Sequence, residues 1–252
     1  MNCCSRFSCS PRKPMLIVLH GEHSTPGRIG RMLRDLGFGL DIRRPRFGDS
    51  LPQNMCGHSG AVYFGGPMSA NDEDDWIRRE IDWIGLPLKE KKPFLGICLG
   101  AQMLARHLGQ PVGRHPEGKV EVGYYPIRPT EAGRGLCAAP FPTCVYQWHR
   151  EGFDLPGGAT LLAEGEDFEA QAIRVGEKAF GLQFHPDVTY DMMCQWTVTA
   201  LERMNQPGAQ EGRRHLDGWF QHDGVVARWT EAFLRCWSGG GACGRAASVA
   251  AE

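Results

Sequence analysis

The sequence predicts an α/β protein: a doubly wound, mostly parallel sheet with helices on both faces and some antiparallel strands in its second half. Two observations carry this reading. Up to residue 108, short apolar runs alternate with stretches whose apolar residues recur every three or four positions, the rhythm of a parallel sheet connected by helices. After Gly109 the helical spacing gives way to strand-like runs joined by glycine and proline turns.

Taken in order, residues 15–19 read as a buried strand, and residues 27–36 set Ile29, Met32, Leu33 and Leu36 on one helical face. Residues 61–64 are a second buried strand. A helix over 74–84 stripes Trp76, Ile77, Ile81 and Ile84, with acids in its first turn, where the helix dipole favours them. Residues 94–97 form a third strand, followed by a helix over 99–108 that turns Leu104, Ala105 and Leu108 inward. Strands are then expected at 121–127, 143–148, 170–175 and 179–184, and helices around 190–204 and 225–237. Trp76, Trp83, Trp229 and Trp237 fall at helical positions and read as packing residues. One domain over 15–238 accounts for all of this. Residues 1–14 hold three cysteines, two prolines and three basic residues without periodicity and read as a disordered extension, and one hypothesis makes Met15 the natural start. Residues 239–252 are small-residue low complexity and read as a disordered tail.

Composition excludes several classes. Of 252 residues, 42% are hydrophobic and 23% charged, which is a globular balance. Lysine and arginine number 28 against 29 acids, so no basic field exists to grip nucleic acid or an anionic membrane. No apolar run approaches the roughly 20 residues of a bilayer span, and the first is too short for a signal peptide. The expected compartment is the reducing cytoplasm, where the ten cysteines are free thiols rather than a disulfide framework. His20, His23, Cys3, Cys4 and Cys9 lack zinc-ligand spacing and read as solvated or disordered, so neither a metal nor any other cofactor is expected.

The strongest local signal is Gly96-Ile97-Cys98-Leu99-Gly100-Ala101-Gln102, where a buried strand runs directly into a helix. This is the nucleophile-elbow pattern with cysteine in place of serine. The sharp turn needs glycine on both sides, and it aims the sulfur at a helix N-terminus that favours thiolate. A cysteine nucleophile requires a base, and the base an orienting group. Gln183-Phe184-His185-Pro186-Asp187 supplies both: a histidine at a strand end and a carboxylate two residues on. Phe64-Gly65-Gly66-Pro67-Met68-Ser69 follows another strand, and its Gly66 amide can join that of Leu99 as an oxyanion hole. Cys144, five residues before His149, is a rival thiol that reads better as core.

Together with Gln147-Trp148-His149, these segments resemble the class I glutamine amidotransferases, most closely the stand-alone, GMP-synthase-like kind, over residues 15–204. The resemblance implies a flavodoxin-like sheet and hydrolysis of the glutamine side-chain amide through a γ-glutamyl thioester. It implies Cys98 as nucleophile, His185 as base and then acid, Asp187 as orienter, and Gly66 and Leu99 as oxyanion donors. Gly65, Gln102, Gln147, Trp148 and His149 match the family's substrate-contacting positions. Two departures stand out. Asp187 replaces the family's usual glutamate, and Arg150-Glu151 replaces glycine-aspartate after His149. No synthetase signature is present, so ammonia would pass to a separate partner subunit or to no acceptor. The same residues suit a γ-glutamyl peptidase or hydrolase, and a non-catalytic regulatory or binding subunit is the remaining alternative.

Overall fold

The computed structural model describes residues 12–240. Most of the expected extension (residues 1–11) and tail (241–252), including Cys3, Cys4, Cys9 and Cys243, lie outside the described residues. Residues 12–14 are tied down rather than loose. Ser59 Oγ donates to the Lys13 carbonyl at 2.7 Å, the Ser59 amide donates to Pro14 at 2.9 Å, and Arg12 covers the Phe38 ring.

In chain order the first half comprises β1 (Met15–Val18), α1 (Gly27–Asp35), β2 (Leu40–Arg43), β3 (Gly60–Tyr63), α2 (Asp75–Trp83), α3 (Gly85–Lys89), β4 (Phe94–Ile97) and α4 (Leu99–His107). The second half comprises β5 (Val112–Arg114), β6 (Glu121–Pro126), β7 (Arg128–Pro129), α5 (Glu131–Arg134), β8 (Cys144–His149), β9 (Glu151–Phe153), β10 (Ala159–Glu164), β11 (Ala170–Val175) and β12 (Ala179–Leu182). Three helices close the chain: α6 (Tyr190–Thr199), α7 (Leu201–Met204) and α8 (Gly212–Arg235).

The main sheet runs β2-β1-β3-β4-β12-β11-β10-β7, parallel from β2 through β12 and antiparallel beyond. Its central strands are buried end to end, which requires cover on both faces. Strand alternation divides the core accordingly. Met15, Ile17, Val62 and Leu95 meet Ile29 and Leu33 of α1 and Trp229 and Phe233 of α8. Leu16, Val18, Ala61 and Phe94 face Ile77 of α2 and Leu104 of α4. The four tryptophans singled out above pack as expected, Trp229 and Trp237 in the first core and Trp76 and Trp83 against the second.

Several elements differ from expectation. β6 and β8 pair with each other as a separate antiparallel ribbon, as do β5 and β9. The strands β2 and β10 were not anticipated, because Leu40-Asp41-Ile42-Arg43 mixes charge into a four-residue run and β10 is only partly buried. The 190–204 helix breaks at Ala200 (φ −123°, ψ 45°), and the last helix begins at residue 212 rather than 225. No helix among the described residues is long and apolar enough to cross a membrane.

Candidate active site

The C-terminal ends of three adjacent strands, β3, β4 and β12, deliver the residues singled out above. Cys98 follows β4 directly and sits at φ 50°, ψ −106°, a left-handed backbone that non-glycine residues seldom adopt. Its amide donates to Leu182 of β12 at 2.7 Å, and its carbonyl receives the Gln102 amide of α4. The flanking glycines are required by close approach. A Cβ on Gly96 would lie 2.4 Å from the Gly100 carbonyl oxygen, and one on Gly100 would lie 2.3 Å from that of Tyr63.

His185 lies just beyond β12, held by its amide hydrogen bond to the Tyr146 carbonyl at 2.8 Å. Its Nδ1 faces Asp187 Oδ1 at 3.1 Å, with both side chains buried. The shorter aspartate reaches the imidazole because its backbone is anchored, the Asp187 carbonyl accepting from the Arg28 amide of α1 at 2.8 Å. Burial alone would lower the imidazole pKa. The Asp187 carboxylate and the Cys98 sulfur outweigh it and push His185 up to about 10. The rival Cys144 is different: burial raises its thiol to about 11.

Gly65 brings the third strand to the same point. A Cβ there would lie 2.8 Å from His185 Cε1 and 3.5 Å from Cys98 Cβ. Gly66 is next, with the Leu99 side chain against it. The Gly66 amide finds no acceptor among the described residues, and Leu99, first in its helix, has no intrahelical one. The loop after β3 and the first turn of α4 thus each carry an N–H group with no acceptor among the described residues. Behind this loop stands a pair that sequence reasoning misplaced: His20 is not solvated but fully buried. Its Nε2 faces Glu80 Oε2 of α2 at 2.8 Å and its Nδ1 faces the Gly65 carbonyl at 3.3 Å.

A cavity of about 470 Å³ opens over Cys98 and His185, lined also by Gly65, Gly66 and Trp148. Its far wall is α6 and α7, which present Asp191, Gln195, Thr199 and Arg203 at four-residue intervals. Trp196 of the same wall meets the His185 ring edge-on at 5.3 Å and Trp148 at 5.4 Å. Neither Trp196 nor Arg203 was found from the sequence, since both sit in a helix with no motif.

The side chains of Gln102, Gln147 and His149, expected at the substrate, are not brought to the cavity. Gln102 Nε2 donates to the Glu151 carbonyl at 2.7 Å and to Gln183 Oε1 at 3.2 Å. Gln147 Nε2 donates to Gln171 Oε1 at 2.6 Å, and Gln171 Nε2 donates to Glu121. His149 Nε2 meets Glu121 Oε2 at 2.9 Å. These contacts lie inside the protein, with Gln147 Oε1 and Gln183 Nε2 left without a partner among the described residues.

The sequence model of the family described as "Glutamine amidotransferase class-I" matches residues 22–193. The chain is 33% identical to the glutamine amidotransferase-like protein YfeJ of Salmonella typhimurium over 202 residues, 77% of this chain and 80% of that protein. It is 30% identical to the glutamine-hydrolyzing GMP synthase of Aeropyrum pernix over 80% of this chain, but it spans only 35% of that protein's length. Among solved structures, the crystal structure of a glutamine amidotransferase from Methylobacillus flagellatus superposes with a TM-score of 0.84 at 25% identity. That match covers 94% of this chain and 98% of the other.

Proposed function

This chain belongs to the class I glutamine amidotransferases, and from that membership we propose that it hydrolyses the side-chain amide of glutamine at Cys98. One observation supports the reading above all: the Cys98 thiol, the His185 imidazole and the Gly65-Gly66 loop line one cavity at the ends of adjacent strands. In the proposed cycle the Cys98 thiolate attacks the γ-carbonyl carbon. The oxygen gains negative charge, which the Gly66 and Leu99 amides receive. The tetrahedral intermediate collapses as the amide nitrogen takes a proton from His185 and leaves as ammonia, with Cys98 holding the γ-glutamyl thioester. Water then gives a proton to His185 and attacks the thioester, releasing glutamate and the thiolate. Asp187 keeps the imidazole's Nδ1 face fixed throughout.

Gly65 and Trp148 form part of the glutamine-binding wall, while Gln102, Gln147 and His149 brace it from behind. The ammonia passes to a separate acceptor or partner. The free thiols among the described residues suit a cytoplasmic setting.

The test is a glutamine-analogue diazo-ketone followed by mass spectrometry, with ammonia release measured alongside. The expected result is one label, on Cys98, and a loss of turnover of at least about a thousandfold in Cys98→Ala. Unchanged turnover in that variant would remove Cys98 from the chemistry. Failure to label or hydrolyse glutamine, with turnover of a γ-glutamyl peptide, would move the reading to a peptidase.

A further inference from the structure

Arg203 stands on the wall of the cavity that holds Cys98, on the short helix α7. Apart from histidines it is the cavity's one cationic side chain among the described residues. Its guanidinium is half-buried and forms no ion pair there, Glu202 being turned to the exposed side. Burial and then the like charge of Arg150 hold its pKa below the ordinary value, while Cys98 and Glu202 pull the other way. Arg150 is the residue with which this chain replaces the family's glycine, a departure the proposed chemistry does not use. An arginine on a cavity wall with no carboxylate paired to it has its fork free for an anion that enters. The histidine and glutamines expected to meet the substrate turn instead to the Glu151 carbonyl, Gln183, Gln171 and Glu121. Arg203 is thus the one arginine or lysine on the wall, among the described residues, that can meet a substrate carboxylate.

We propose that Arg203 is the carboxylate receptor of this site, taking the α-carboxylate of the glutamyl substrate while Cys98 faces its γ-carbonyl. Arginine suits the task because its planar fork meets a carboxylate with two parallel hydrogen bonds. Arg150 strengthens the local positive field. The identity of the ligand rests on the glutaminase reading, whereas the preference for a carboxylate does not.

Iodoacetate and iodoacetamide separate the two, since they differ chiefly in carrying or lacking a carboxylate. Their alkylation rates at Cys98, followed on the full chain by mass spectrometry of the Cys98 peptide, give a ratio that reports carboxylate recognition. In Arg203→Gln the iodoacetate-to-iodoacetamide ratio is expected to fall about tenfold, with the iodoacetamide rate held within about twofold. Arg203→Lys, which keeps charge without the fork, is expected to fall between. An unchanged ratio in Arg203→Gln overturns the proposal, and so does an equal fall of both rates, which reports a disturbed thiol. Alongside, KM for glutamine should rise about tenfold in Arg203→Gln with kcat held. An unmoved KM overturns the α-carboxylate assignment. A wild-type chain inert toward glutamine would sink the glutaminase reading alone, with the alkylation ratio still deciding the role of Arg203.

Discussion

At Cys98 the backbone is held in a conformation that costs on the order of 1–3 kcal/mol, and the surrounding contacts hold it there. Gly65 shows how little room the arrangement has. Gly65→Ala would place a methyl 2.8 Å from His185 Cε1, pushing the imidazole from the sulfur. The expected outcome is a loss of glutamine hydrolysis of about a hundredfold with the thermal midpoint changed only slightly. Steady-state ammonia release and thermal melts check it together, and retained activity would count against the close packing of loop and base. Cys98 and His185 were legible because each lies where an apolar strand stops, flanked by residues that such a turn demands. His20 was not, because its partner Glu80 is 60 positions away on a helix whose apolar stripe gives no hint of a buried acid. Gln102, Gln147 and His149 differ, their side chains turning to internal partners. Their motifs were visible, but a motif carries no information about which way a side chain turns once internal partners compete for it.

The elements are joined by a few polar ties. The helix α2 supports the Gly65 loop through Glu80 and His20, so an acid far in sequence sets the height of an amide beside Cys98. Glu80→Ala would strand His20 in a dry pocket. We expect a stability loss of about 3–5 kcal/mol by urea unfolding, and a fall in activity larger than a surface control produces. A loss below about 1 kcal/mol would mean the pair does little to hold the loop. The strong strand–helix alternation up to α4 was legible because its apolar runs are uninterrupted. The first half of α8 was not, since residues 212–224 carry charges and three glycines that argue against a helix. Gly218 is there for contact, not flexibility: a Cβ would lie 2.4 Å from Tyr124 Cδ2, so the helix can lie close on β6 only without one. That stretch also bears His215, whose Nδ1 meets the Tyr146 hydroxyl at 2.9 Å, while the Tyr146 carbonyl holds the His185 amide.

For the molecule as a whole, the site couples charge to folding. His185 keeps its proton to about pH 10 when folded, against about 6.5 in an unfolded chain. A group whose pKa is raised by folding contributes stability that is fully present below the unfolded value and lost as pH rises through the folded one. Urea midpoints should therefore fall between about pH 7 and pH 10. Asp187→Asn should lower the midpoint at neutral pH and flatten that fall, because the carboxylate is the strongest of the groups that favour the charged imidazole. Equal slopes in the two proteins would show that Asp187 does not hold the proton. The order of the sheet has one more consequence. β12 is among the last strands made, yet it inserts between β4 and β11 at the centre. On the ribosome, at roughly 5–20 residues per second, the thiol emerges on the order of ten seconds before its histidine. Every newly made copy thus passes through a stage in which the proposed nucleophile is present without the histidine proposed to serve it.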